Sequence, residues 1–324
     1  MIACRPESAL AHEATSSGVS VAPVRMRSVL DAPACLRLRR LLRQHHVALV
    51  HTHSSIDSWL AGVAAKTLGL PVVRSRHVTI PIRSALVYRL ADRVVASGER
   101  AAALVRDAGI PPDSVVAISA GVDLDRFHPG VSGKRVRGEL GLDGPLVGLI
   151  ANLRGSKGHR YFLEAAREIL KVAPETRFLI VGDGVGFDDI RRRIREMGIE
   201  REVLMLGFRR DVPEVTAALD VLALPSIKSE ATSQVIFQAL AVGTPVVATS
   251  VGGSPEVIRD GISGRLVPPA DSGALARAIV DLLRDPERAR EMARAGQADV
   301  RAGQSIDVVM ARTTALYREI LPRA

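Results

Sequence analysis

Short, continuous apolar runs rich in valine and isoleucine recur along the chain and alternate with segments of helical period. In the first half they are Val19–Val24, Val47–His53, Val72–His77, Arg93–Ser97 and Val115–Ser119. In the second half they are Leu146–Asn152, Arg177–Asp183, Val203–Phe208, Val221–Ser226, Val246–Ser250 and Gly264–Pro268. Runs without polar alternation mark strands buried on both faces. Strands separated by helices imply parallel sheets with right-handed crossovers. Between the second-half runs, Gly158–Lys171 places Phe162, Leu163, Ala166, Ile169 and Leu170 on one helical face, and Ser272–Leu283 does the same with Leu275, Ile279, Leu282 and Leu283.

At roughly 100–200 residues per domain, a chain of 324 residues predicts two domains. The stretch from Phe127 to Pro145 interrupts the alternation with Pro129, Gly130, Gly133, Gly138, Gly141 and Gly144, and reads as an interdomain linker holding one short helix. The expected organisation is a first α/β domain over residues 1–128, a second over 129–305, and a last helical segment, 306–324, that packs back on the first. Doubly wound sheets bind ligands beyond the C-terminal ends of their strands, so a cleft between the two domains is the expected site. Met1–Pro6 leads into a helix-like Glu7–Thr15 with no strand–glycine–helix unit before it, so the first domain reads as incomplete at its start.

Residues 1–128 carry 16 Lys/Arg against 10 Asp/Glu, so much of the +9 net charge sits in the first half. A basic surface suits anionic partners or reflects an arginine-rich composition. Aromatic residues are only 3% of the chain and are not interleaved with cations, which argues against nucleic-acid stacking platforms. Cys4 and Cys35 have neither metal-site nor disulfide-framework spacing, and no apolar run reaches the length of a membrane span. A cytoplasmic protein is expected, with any membrane contact made peripherally at an anionic inner surface.

The chemically richest stretch is Leu224–Ile258. A strand ends at Ser226, a loop follows, and a helix begins near Glu230–Ser233. Unpaired N–H groups at a helix N-terminus make a diphosphate site, and Ser229, Thr232 and Ser233 add hydroxyls. The strand Pro245–Ser250 then runs into Gly252-Gly253, which lets a ligand approach the backbone. This ordered string, with Gly243, Pro245–Thr249, Gly252–Gly253 and Pro255–Glu256, resembles the donor-site signature of the family-4 retaining glycosyltransferases. Val147–Gly158 resembles that family's strand–loop–Lys-Gly element, Leu179–Gly184 its second strand and turn, and Gly207–Pro213 its loop near the nucleotide base. Gly121–Phe127 resembles the loop before its domain linker. The family's opening glycine loop has no counterpart in the chain.

The resemblance implies a GT-B fold, two Rossmann-like domains facing across a cleft, and metal-independent transfer from a nucleoside diphosphate sugar with retention and no cofactor. It implies catalytic roles for Lys157 at the diphosphate, Glu230 at the donor sugar, and His77, reaching that sugar from the first domain. Donor contacts would come from Asn152, Arg154, Gly207, Phe208, Arg209, Ala231, Thr232, Ser233, Gln238, Gly252 and Gly253. Gln238 stands where the family has a glutamate on the ribose hydroxyls, and Asn152 stands where many members have an arginine that Arg154 can replace. Arg74 and Arg76 would meet an anionic acceptor, expected to be a cell-envelope glycan or lipid-linked saccharide. Two other readings stay open: a non-catalytic nucleotide-sugar binder, and a metallohydrolase whose His51 and His53 end one strand near Asp57 and His77. Asp123-Leu124-Asp125 reads as surface or capping aspartates.

Overall fold

The apolar runs fold as parallel strands in two separate units, one formed by Met1–Ile118 with the chain from Arg312 onward, the other by Ser119–Ala311. The computed structural model describes residues 1–228 and 231–321. In the first unit the elements are β1 (Ile2–Cys4), α1 (Ala9–Ser16), β2 (Val21–Pro23), α2 (Ala32–Gln44), β3 (Val50–Thr52), α3 (Ser55–Lys66), β4 (Val72–Arg76), β5 (Arg93–Ala96), α4 (Glu99–Asp107) and β6 (Val115–Ala117). Strands β3-β4-β5-β6 form one parallel sheet, with Val50 opposite Val72, Val73 opposite Arg93 and Val94 opposite Val115. Helix α2 starts at Asp31, whose carboxylate accepts from the Ala34 amide, and buries Ala34, Leu38 and Leu42 in a core shared with Leu60 and Ala64 of α3. Helix α3 opens with a capping box in which Ser54 and Asp57 each accept from the other's backbone amide.

The second unit contains α5 (Lys134–Leu140), β7 (Leu146–Ile150), α6 (His159–Leu170), β8 (Arg177–Val181), α7 (Phe187–Met197), β9 (Val203–Gly207), α8 (Val212–Ala218), β10 (Val221–Leu224), α9 (Gln234–Val242), β11 (Val246–Thr249), α10 (Ser254–Val257), β12 (Arg265–Val267), α11 (Ser272–Arg284) and α12 (Pro286–Gly303). The strands make one parallel sheet in the order β12-β11-β10-β7-β8-β9. One face of the sheet is covered by the core around Phe162, Phe178 and Ile279, the other by the core around Phe237, Leu222 and Leu240. Burial on both faces explains why these strands read as unbroken apolar runs. Helix α13 (Ile306–Ile320) starts in this unit and ends in the first, where Arg312 donates to the Ala117 carbonyl at 2.8 Å.

Two expectations are corrected. Ile2–Cys4 is a strand, paired in parallel with Val21–Pro23, so a strand, turn and helix do open the chain. The turn holds no glycine, and Ser8 closes it by accepting from the Ala11 amide at 3.2 Å. The segment from Phe127 to Pro145 is not a spacer, because Phe127 and Val136 are buried in the second core and Arg137 is bonded to Ala218, Gly144 and Asp220. The second unit accordingly begins at Ser119, ahead of residue 129. The helix expected near Glu230–Ser233 has Ser233 as its N-cap and begins at Gln234.

Candidate active site

Three strand ends converge in the second unit. Strands β7 and β10 are neighbours in the sheet, yet the chain leaves β7 towards β8 on one side and β10 towards β11 on the other. That reversal is the position where parallel α/β sheets open a ligand crevice. The loop after β7 runs through Asn152 and Arg154 into a single 3₁₀ turn, Gly155–Lys157, and Gly158 then starts α6 with φ of 74°. A Cβ on Gly158 would lie 1.8 Å from the Pro225 carbonyl oxygen, so only glycine lets the Lys157 loop sit against the end of β10. The Ile227 amide donates to the Ser156 carbonyl at 2.9 Å and ties the two loops together.

The third loop follows β11. Gly252 has φ of 61°, and a Cβ on Gly253 would lie 1.9 Å from the Ala231 carbonyl oxygen. Gly253 thus holds the β11 loop against the entry to α9. Ser233 caps α9 without a side-chain hydrogen bond to its amides, and its carbonyl accepts from the Ile236 amide at 3.0 Å. Ser233 and Ala231 are buried and Thr232 half-buried, while Gln238 is half-buried on the second turn of the helix. The structure therefore brings Lys157, Ala231, Thr232, Ser233, Gly252 and Gly253 to one sheet edge. Glu230 lies outside the described residues, as does Ser229.

Other predicted donor residues are placed less uniformly. Arg154 donates from Nε to Asn152 Oδ1 at 3.1 Å, so these two exposed residues act as a pair. Gly207 ends β9 with φ of 66°, and Phe208 beyond it is 72% exposed. The Arg209 guanidinium is held by both oxygens of Glu139, at 2.6 and 3.0 Å, and by both of Asp211, at 2.8 and 2.7 Å. These bonds raise the Arg209 pKa and drive the Asp211 carboxyl below the usual range. Arg209 thus has a structural occupation that its sequence motif did not disclose.

In the first unit, His51, His53 and His77 stand side by side at the ends of β3 and β4. His51 and His53 stack at 4.4 Å, and His53 and His77 at 5.4 Å. His53 Nδ1 and His77 Nε2 share a hydrogen bond at 3.1 Å. His51 binds the Tyr317 hydroxyl of α13 at 2.5 Å and Ser75 Oγ at 2.8 Å. Burial, then the neighbouring histidines, lowers the His51 pKa to about 4; burial also lowers those of His53 and His77. Among the described residues, no group of three His, Cys, Asp or Glu side chains is placed to hold a metal ion. Sequence reasoning missed Tyr317, which is separated from His51 by nearly the whole chain and carries no motif. Among the described residues, no helix is long and apolar enough to cross a membrane.

Comparison with known proteins agrees with this architecture. Residues 144–285 match the family Glycosyl transferases group 1, and residues 1–126 match Glycosyltransferase Family 4. A D-inositol 3-phosphate glycosyltransferase of Streptomyces scabiei (strain 87.22) is 32% identical over 79% of this chain and 64% of its own length. The chain thus spans a little under two thirds of that relative. A GDP-mannose-dependent alpha-(1-6)-phosphatidylinositol monomannoside mannosyltransferase of Mycolicibacterium smegmatis is 30% identical over 81% of this chain and 74% of its own. The crystal structure of Anabaena Alr3699/HepE in complex with UDP superposes with a TM-score of 0.89 at 21% identity, over 98% of this chain and 91% of that one. The paired Rossmann-like units, the glycine contacts at the β7, β10 and β11 ends and these similarities together establish that the chain belongs to the family-4 glycosyltransferases of GT-B type.

Proposed function

We propose that the chain transfers a sugar from a nucleoside diphosphate sugar to a hydroxyl of a cell-envelope glycan or lipid-linked acceptor, with retention and without a divalent cation. The observation that carries this reading is the meeting of the Lys157 loop, the start of α9 and the Gly252-Gly253 loop at the sheet reversal. Departure of the nucleoside diphosphate places growing negative charge on its phosphates. Fixed amides and a lysine stabilise that charge without reorganising, which is the service a metal ion otherwise gives. Lys157 is assigned to the diphosphate, Glu230 and His77 to the reacting sugar, and Gln238 to the ribose. The names of two relatives, one acting on a phosphatidylinositol mannoside and one on a diphosphoundecaprenol-linked sugar, support a lipid-linked acceptor. We place the protein in the cytoplasm, in peripheral contact with an anionic membrane surface and with no nucleic-acid partner.

The test is thermal stabilisation by UDP, GDP, ADP and CDP, measured beside sugar transfer. A ligand present at 100 times its Kd adds about 2.7 kcal/mol, enough to raise the midpoint by several degrees. One nucleotide is expected to stand out, and Lys157→Ala is expected to cut turnover by at least about tenfold, the worth of one charged hydrogen bond to phosphate. No shift with any nucleotide, or full turnover without Lys157, overturns the donor site.

A further inference from the structure

Arg74 is 4% exposed, and its Nε and Nη1 have no hydrogen-bond partner among the described residues. Its guanidinium lies over the Tyr88 ring, 4.1 Å from the centroid. Arg76, two residues along β4 and on the same face, lies 6.0 Å from that centroid, donates to the Tyr88 hydroxyl at 2.8 Å and leaves its own Nε buried without a partner. Two guanidinium groups therefore share one phenol ring and keep three buried nitrogens unpaired.

Among the described residues, no carboxylate is hydrogen-bonded to those nitrogens, and the carboxylates nearest in sequence have other partners. From residue 58 to residue 91 the sequence contains Lys66, Arg74, Arg76, Arg83 and Arg89 and no aspartate or glutamate. Asp57, whose field acts on Arg74, accepts from the His53 amide at 2.9 Å and the Ser54 amide at 2.7 Å. Asp92 is taken by Lys66, at 2.8 and 2.7 Å, and by the Val72 amide. A buried cation without a counter-ion destabilises a fold, and buried groups with unmet donors call for a ligand. Arginine's planar fork suits the paired oxygens of a phosphate, and stacking on Tyr88 holds the fork in plane. The segment that follows β4 runs past Arg76, whose Nη2 donates to the Ile80 carbonyl, and it exposes Val78, Ile80 and Leu86.

We propose that Arg74 and Arg76 form an anion site in the first unit, reached when the Val78–Leu86 segment yields, which takes the phosphate group of a phosphate-bearing acceptor. The acceptor role rests on the glycosyl-transfer reading above; the anion site itself does not. Trp59 is the only tryptophan in the chain and packs against the cluster that holds Tyr88, so its fluorescence reports this site.

The experiment titrates the full chain with sn-glycerol 3-phosphate, with glycerol, and with vesicles of phosphatidylglycerol. A saturable change with glycerol 3-phosphate and none with glycerol is expected, weakened about tenfold or more by Arg74→Met or Arg76→Gln and kept in Lys157→Ala. Arg74→Met is further expected to hold or raise the thermal midpoint, because a buried guanidinium with unpartnered nitrogens is gone. A response to vesicles alone assigns the phosphate to a lipid headgroup, and a response to glycerol 3-phosphate alone to a soluble acceptor. The site is overturned by no saturable response to either probe, by a response that survives both arginine changes, or by one lost in Lys157→Ala instead. Binding is read without turnover, so a failed transferase and an absent anion site give different results.

Discussion

Gln238 stands half-buried on α9, at the position where the family resemblance calls for a glutamate on the ribose hydroxyls. An amide still accepts one hydrogen bond and donates another, but it forgoes the charge-assisted bond of a carboxylate. Gln238→Glu is therefore expected to tighten nucleotide binding by about 1 kcal/mol, or roughly fivefold in Kd by calorimetric titration. Unchanged or weaker binding would remove Gln238 from the ribose. The pairing of Asn152 with Arg154 belongs to the same scale: the loop arginine is oriented by the residue standing in for the family's own arginine. This pairing was legible in the motif as a spacing, whereas the four bonds that occupy Arg209 were not, since Glu139 lies far from it in the sequence.

At the scale of elements, the loops at the sheet reversal are held by backbone approach, and this gives glycines two opposite meanings. Gly253→Ala would thrust a Cβ to within 1.9 Å of the Ala231 carbonyl, so a loss of about 2 kcal/mol and of nucleotide-induced stabilisation is expected in a melting experiment. Gly138 lies within α5 with nothing within 4 Å of a built Cβ, and Gly138→Ala should raise stability by about 0.5–1 kcal/mol. Equal effects at the two positions would refute this account. The longer strands were legible because burial on both faces writes them as unbroken apolar runs. Ile2–Cys4 was not, because only Cys4 of its three residues is buried and no longer apolar run surrounds it. The start of α9 was legible to within a turn, because Ser233, the last residue of the expected Glu230–Ser233 stretch, is its N-cap.

For the whole molecule, each unit buries a histidine that folding keeps neutral. His51 in the first and His159 in the second both have pKa values lowered from 6.5 to about 4, with burial the largest cause. Unfolding returns them to water, where they bind protons near pH 6.5. The unfolded chain thus holds more protons between these values, and stability falls as pH drops from about 6.5 to about 4. The melting midpoint should accordingly decline between pH 7 and pH 5, with a shallower decline in His51→Asn; a flat profile would show that these imidazoles are not held neutral. The first unit is also discontinuous, taking its final helical segment from beyond Ala311 and anchoring it through Tyr317 on His51. During vectorial synthesis the ribosome releases every strand of all three sheets before that segment emerges. The histidine row therefore acquires its outer partner only after the second unit has left the exit tunnel, so of the two units the one translated earlier is completed later.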